Sequence, residues 1–376
     1  MQFVFYTHSL VSDWNHGNAH FLRGVMRELE TAGHSAVALE AHENWSRDNL
    51  IAQHGPQAAA DFHRNFPDLK SGIYGEDADH HALLEEADVV IVHEWNDPAL
   101  VKMLGEYRKS GADFTLLFHD THHRAISAGS EIAELDLSHY DGILAFGETL
   151  RQRYRAMGWE KPVFTWHEAA DTALFKPQPD ISKDKDLVWI GNWGDDERSA
   201  ELNTFLISPA RELGLSGTVH GVRYPDAARA EIMKAGLDFE GWLANYNVPA
   251  VFAQHRATVH IPRRPYVRAL PGIPTIRVFE ALACGIPLVC APWNDAEGLF
   301  RSGRDYLHAE NGSEMKAQLD RILHEPDLAE DLASAGLETI RDRHTCTHRV
   351  GELLDIVDQM RTGSSAQPKL RKEAAQ

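Results

Sequence analysis

Short, unbroken apolar runs separated by amphipathic stretches constrain this chain more than any other feature. Phe3–Tyr6 leads to a helical stretch with Phe21, Leu22, Val25, Met26 and Leu29 on one face, and Gly33-His34 stops that helix before Ala36–Leu39. The pattern continues through Val89–Val92, Phe114–Phe118 and Ile143–Phe146, then restarts with Leu187–Gly191, Gly217–His220, Ala257–Ile261 and Pro287–Cys290. A strand that is apolar at every position needs cover on both faces, which is the condition of a parallel sheet between helices. Two such series predict an α/β chain of two Rossmann-like, doubly wound domains facing a cleft, where a ligand would sit.

The length of 376 residues agrees, because one core does not comfortably serve so long a chain. We expect a first domain over 1–170, a second over 171–345, a helix over 346–361 crossing back to the first, and a disordered tail over 362–376. The stretch 41–80 is rich in Ala and His and has no firm period. Against 56 Asp and Glu stand only 37 Lys and Arg, a net charge of −19 that repels polyphosphate backbones, so nucleic acid is not an expected partner. Residues 1–170 hold 13 of the basic and 26 of the acidic residues, so the first half carries −13 of that charge. A strongly anionic polymer or membrane surface is therefore not an expected second substrate. Cys284, Cys290 and Cys346 are odd in number and suit a reducing cytoplasm. No run reaches the roughly 18 apolar residues of a membrane span, and the N-terminus enters a strand without a basic leader, so an unprocessed, soluble protein is expected.

The chemistry concentrates in Ile261–Phe279, which holds Arg263, Arg264, Arg268 and Arg277 and no acidic residue. An anionic ligand would explain four positive charges there, and Pro274-Thr275 opens a helix whose free N–H groups suit a diphosphate. One turn in, Glu280 would accept from vicinal hydroxyls while Arg277 meets phosphate; at a spacing of three, a plain Arg277–Glu280 surface ion pair is the competing reading. Gly191-Asn192-Trp193-Gly194, with Arg198 at the following helix, is either a second phosphate contact or an ordinary tight turn. Asp13-Trp14-Asn15-His16-Gly17-Asn18 takes the mirror position in the first half. Phe118-His119-Asp120-Thr121-His122-His123 gathers imidazoles beside a carboxylate and admits a zinc reading with His93, Glu94 or His16. Trp45, Trp95, Trp193, Trp242 and Trp293 are expected in core or cleft wall, with one or two available to stack on a sugar or base.

Several of these segments together resemble the group 1, family 4-like retaining GT-B glycosyltransferases: Gly17-Asn18 with its helix, Asp171-Thr172-Ala173-Leu174-Phe175-Lys176-Pro177, Gly191-Asn192-Trp193, and Arg277 to Pro287. The closest branch carries an Arg-x-Phe-Glu-Ala donor helix. The resemblance spans residue 1 to about 360 and implies transfer of a sugar from a UDP, GDP or dTDP sugar to an acceptor hydroxyl, with no metal and no cofactor beyond the donor. It implies Glu280 on the ribose, Arg277 with the amides of Thr275 and Ile276 on the diphosphate, Gly191 and Arg198 on the leaving phosphate, and His119 against the donor sugar. Gly17, Asn18, Asn192, Trp193, Tyr224, Arg263, Arg264, Gly272, Pro274 and Phe279 complete the expected donor site, and Asp120, Asp13 and His16 join His119 as catalytic candidates. At Gly272 the family pattern has a glutamate aimed at the sugar, so the groups holding the sugar hydroxyls stay unassigned. The acceptor would be a small molecule or glycan bound by the first domain. A nucleotide-sugar epimerase and a catalytically silent binding protein are the alternatives.

Overall fold

A computed structural model describes residues 1–194 and 197–362. The expected apolar runs form the middle of two sheets. The first comprises β1 (Gln2–Tyr6), β2 (Ser35–Ala41), β3 (Lys70–Tyr74), β4 (Val89–His93), β5 (Thr115–Asp120), β6 (Gly142–Ala145) and β7 (Val163–Thr165), in the order β3-β2-β1-β4-β5-β6-β7. The second comprises β8 (Lys185–Ile190), β9 (Gly217–His220), β10 (Leu237–Gly241), β11 (His255–His260), β12 (Leu288–Cys290) and β13 (Leu307–His308), in the order β10-β9-β8-β11-β12-β13. Neighbouring strands are parallel throughout, with β1 set against β4 by pairs such as Phe3 with Val89 and Tyr6 with Val92. Strand order therefore reverses between β1 and β4 and again between β8 and β11. Loops beyond these strand ends are where a doubly wound sheet opens a crevice.

The stretch without a clear period becomes the helices Trp45–His54 and Pro56–Asn65 followed by β3. Asn44 caps the first of them by accepting from the Arg47 N–H, and Gly55, at φ +79, turns the chain into the second. As an edge strand, β3 leaves Lys70 and Ile73 exposed, which is why it offers no apolar run.

The two sheets are joined twice, side by side. Ala170 donates its N–H to His344 O at 2.9 Å, and Cys346 donates to Ala170 O at 2.9 Å. Beyond this junction the helix Cys346–Thr362 lies against the helix Ala19–Thr31, where Thr347 donates to Glu28 and Arg349 O accepts from Trp166 Nε1. The expected tail from 363 onward lies outside the described residues. Among the described residues no helix is long and apolar enough to cross a membrane.

Candidate active site

On the second-domain side, β8 ends in the turn Gly191-Asn192-Trp193-Gly194. A Cβ on Gly191 would lie 2.4 Å from the Trp189 ring, and one on Gly221 would lie 2.1 Å from Gly191 O, so close packing of the turn requires both glycines. Tyr224 is a brace here and not a free ligand contact: its hydroxyl donates to Gly191 O and accepts from Trp189 Nε1, both at 2.7 Å. Trp193 packs on the Tyr224 ring at 5.4 Å. Asn192 accepts from the Val222 N–H and donates to Asn15 of the first domain at 2.6 Å.

Arg198 is buried under this turn. It donates to Asn192 O and Ile261 O, and its guanidinium lies 5.1 Å from the Trp189 ring centre. Gly194 has φ +84, and a Cβ there would lie 3.3 Å from both Arg198 Nε and Arg263 Nε. Burial first, then the charges of Arg263 and Arg277, press the Arg198 guanidinium down to about 9. Glu197 offsets part of this charge, accepting from Arg263 at 3.4 Å. Arg264, expected at the donor, also holds Glu201 through two of its nitrogens.

The helix Ile276–Ala283 begins beside these arginines. Thr275, its extended N-cap residue, makes no side-chain cap and sends Oγ1 to His260 Nε2 at 3.2 Å, while Pro274 is buried ahead of it. Among the described residues no side chain accepts from the Ile276 or Arg277 amide in the first turn, the positive end of the helix dipole. The first domain reaches this point through Gly17, where an added Cβ would come within 3.1 Å of Ile276 Cγ2, and Asn18 fixes the loop by donating to Thr121 O. Phe279 is not at the ligand side but in the core, edge-on to Phe300 and His344. Gly272, at φ +88, leaves no room for a side chain because a Cβ would lie 2.6 Å from Glu297 Cγ.

Glu280 is fully buried with both oxygens engaged. Arg277 donates to Oε2, so the three-residue spacing does make an ion pair, but with a buried carboxylate and not at the surface, and His20 Nδ1 lies 2.8 Å from Oε1. His20 was missed in the sequence. The Asp171 N–H donates to its Nε2 at 2.8 Å, which leaves Nδ1 as the protonated nitrogen, and its ring stacks on Phe175 at 3.9 Å. A first-domain helix thus holds, through His20, the carboxylate expected to hold ribose.

The first-domain candidates fall in unexpected places. Asp13 is no free base: it accepts from Arg23 at 2.9 Å, from Trp242 Nε1 at 3.0 Å and from the Asn245 N–H at 3.1 Å, so it ties the two domains together. His119 lies under Phe21 and Trp166, with Nδ1 3.3 Å from His93 Nε2 and Nε2 without a partner. It is buried and borders a small, partly open cavity of about 10 Å³ shared with Asn18, Phe21, Thr121 and Trp166. Asp120, also fully buried, accepts from Tyr154 OH at 2.7 Å. Burial raises both Asp120 and Glu94 above the usual carboxyl range, and the Asp120 charge raises Glu94 further. His16 is buried, its Nε2 unpartnered and its ring edge-on to His8 at 5.1 Å. Burial drives it well below the usual imidazole value. The zinc reading finds no support in placement, since among the described residues no three His, Cys, Asp or Glu side chains converge as a metal would require. A second missed residue is Glu168, buried between β7 and the linker. Burial, and then Glu280 and Glu94, push its carboxyl well above the usual range against the pull of Arg277.

A family model described as glycosyl transferase-like matches residues 198–355. Solved structures match along nearly the whole chain. Sucrose-phosphate synthase from Thermosynechococcus elongatus superposes with a TM-score of 0.66 at 14% identity, covering 96% of this chain and 99% of that one. HepE from Anabaena, solved with UDP and glucose, gives 0.65 at 13%, covering 96% and 100%. An alpha-glucosyltransferase solved with UDP and a DNA 13-mer gives 0.67 at 12%, covering 95% and 98%. The chain has the GT-B fold. No curated protein matches its sequence. Within this GT-B chain the matched segment holds Arg198, Arg263, Arg277 and Glu280, whereas Asp13, His16, His119 and Asp120 lie outside it.

Proposed function

We propose that the protein is a glycosyltransferase that moves a sugar from a nucleotide-diphospho-sugar to an acceptor hydroxyl, without metal and with retention at the anomeric carbon. The observation that carries this reading is the group Arg198, Arg263 and Arg277 beside the uncapped first turn of Ile276–Ala283. Arg263 and Arg277 each hold one carboxylate, Glu197 and Glu280, while Arg198 donates to the carbonyls of Asn192 and Ile261, so the group keeps positive charge that an anion would offset. A diphosphate supplies that anion, and its charge grows as the sugar leaves, which is where fixed positive groups contribute most. The arginines and helix dipole supply the charge a metal would otherwise bring.

Ribose hydroxyls take Glu280 in exchange for His20 as the domains part to admit the donor. Closure then returns the first-domain edge to the sugar and excludes water. Asp13 and Asp120 are committed to protein donors, and burial, then Glu280 and Glu94, work against ionisation of Glu168. A covalent carboxylate nucleophile is therefore not part of the proposal. The departing phosphate oxygen takes the acceptor's proton, which places attack on the face that the leaving group vacates and so retains configuration.

A thermal-shift screen against UDP, GDP and dTDP sugars tests this. A donor at a hundred times its dissociation constant should add about 2.7 kcal/mol of stability. The stabilising donor should then release its nucleoside diphosphate only when an acceptor is present, in EDTA as well as without it, and give a product of retained configuration by NMR. Interconversion of the sugar without acceptor would make the protein an epimerase, and stabilisation without any release would make it a binding protein.

A further inference from the structure

Four imidazoles and a tryptophan form one continuous band along the first sheet's carboxyl edge. His16 meets His8 at 5.1 Å, His8 meets Trp95 at 5.7 Å, Trp95 meets His122 at 5.3 Å, and His122 meets His123 at 3.9 Å. The band begins at the β1 loop, crosses the ends of β4 and β5, and reaches the second domain where His123 Nε2 comes within 3.7 Å of Glu197, the partner of Arg263. It therefore leads from the surface to the arginine group. Three ring nitrogens in it are buried without a hydrogen-bond partner: His16 Nε2, His122 Nδ1 and His123 Nε2. Buried polar atoms left unpaired are costly and ask for a partner from outside the chain.

We infer that this band is the acceptor subsite and that the acceptor is an uncharged saccharide, its ring on Trp95 and its hydroxyls on His16, His122 and His123. The inference rests on the proposed glycosyl transfer and names its second substrate.

Two features select the class. Burial lowers His8 and His123 to about 4 and holds His16 and His122 well below the usual value, so these rings are neutral at physiological pH. A neutral imidazole offers one donor and one acceptor, which matches a hydroxyl, and the guanidinium nearest the band, that of Arg124, is already taken by Glu131 and Glu94 O at 2.6 Å each. Trp95 stays 40% exposed although Arg124 covers its ring at 4.4 Å, and an exposed indole beside hydrogen-bonding groups suits a molecule with apolar C–H faces and a hydroxylated rim.

Saturation-transfer NMR on the full chain tests the assignment with gluco-, galacto- and manno-configured neutral disaccharides, set beside glucuronic acid and glucose 6-phosphate. At least one neutral disaccharide should receive saturation at its ring protons. Its affinity should fall by about tenfold or more in Trp95→Ala and hold in Trp45→Ala, whose exposed indole lies outside the band. Binding by none of the neutral sugars, preference for the anionic probes, or equal binding by Trp95→Ala would each overturn it. Titration of UDP, GDP and dTDP into the same wild-type sample reports on the second domain separately. Saccharide binding without nucleotide binding would sink the glycosyl-transfer reading and leave Trp95 as a sugar site, and the reverse result would sink only the acceptor assignment.

Discussion

The two edges that meet at the cleft divide their chemistry sharply. The second-domain edge presents Arg198, Arg263 and Arg277 beside open helix amides, whereas the first-domain edge presents neutral imidazoles and keeps Asp13 and Asp120 in protein contacts. Fixed charge stands where a nucleotide would be held. Groups able to give and take single hydrogen bonds stand where a hydroxylated partner would be held. The contrast teaches that a strongly acidic chain still gathers arginines at one edge, because local partners and not net charge decide what a site binds.

Breaking the cationic edge should have the largest effect. Arg198→Ala removes a charge that the proposal sets beside the leaving phosphate and should lower turnover by about 10²–10³-fold, as loss of a preorganised transition-state donor does. Single-turnover kinetics on a folded variant checks it, and an unchanged rate would move the leaving group away from this turn.

Glu280→Ala should come next. Charge-assisted hydrogen bonds contribute on the order of 1.5–3 kcal/mol, so nucleoside diphosphate affinity should fall about ten- to a hundred-fold. A His20→Ala variant separates ribose binding from latching, since it leaves Glu280 in place and removes only the contact from the first domain. Its melting temperature should fall, as a buried carboxylate loses a donor and the Asp171 N–H an acceptor, while calorimetry shows nucleotide affinity held or raised. Weaker nucleotide binding in His20→Ala would mean that His20 does not compete with ribose.

The first-domain edge should answer mainly through stability. Glu94 is raised by burial to about 8, so the folded state keeps a proton that the unfolded chain gives up in the ordinary carboxyl range. Its contribution is present at low pH and lost as pH rises toward 8. The buried histidines act the other way, but only below their ordinary value near 6.5, so between about pH 6.5 and 8 the carboxyl term stands alone among them. Wild-type melting temperature should fall across that window, and Glu94→Gln should flatten the fall. Equal slopes for the two proteins would show that Glu94 ionises normally.

His119→Ala should give the smallest effect on rate. Its ring packs beneath Phe21 and Trp166 beside a small cavity, so its removal should enlarge that cavity and lower thermal stability. A stable variant with a rate reduced a hundredfold would return His119 to the catalytic centre.

Legibility in the sequence follows from the range of the contacts. Central strands such as Val89–His93 announce themselves, because burial on both faces demands an apolar residue at each position. Edge strands such as Leu237–Gly241 do not, since one side of each is exposed and the run alternates. The arginine group is visible as charge within one short segment. The roles of Asp13 and His20 are not: Asp13 finds Trp242 and Asn245 more than two hundred positions away, and His20 finds Asp171 and Glu280 at separations of 151 and 260. Tyr224, Arg264 and Phe279 likewise spend their side chains on a turn, an ion pair and a core that no local spacing foretells.

The central claim is that the second-domain edge holds a nucleoside diphosphate. Isothermal titration of UDP, GDP and dTDP into the wild type, Arg198→Ala and Glu280→Ala addresses it directly. The account predicts one-to-one binding of at least one nucleotide to the wild type in EDTA, weakened at least about tenfold in both variants. No binding by the wild type, or equal affinity in folded variants, would contradict it.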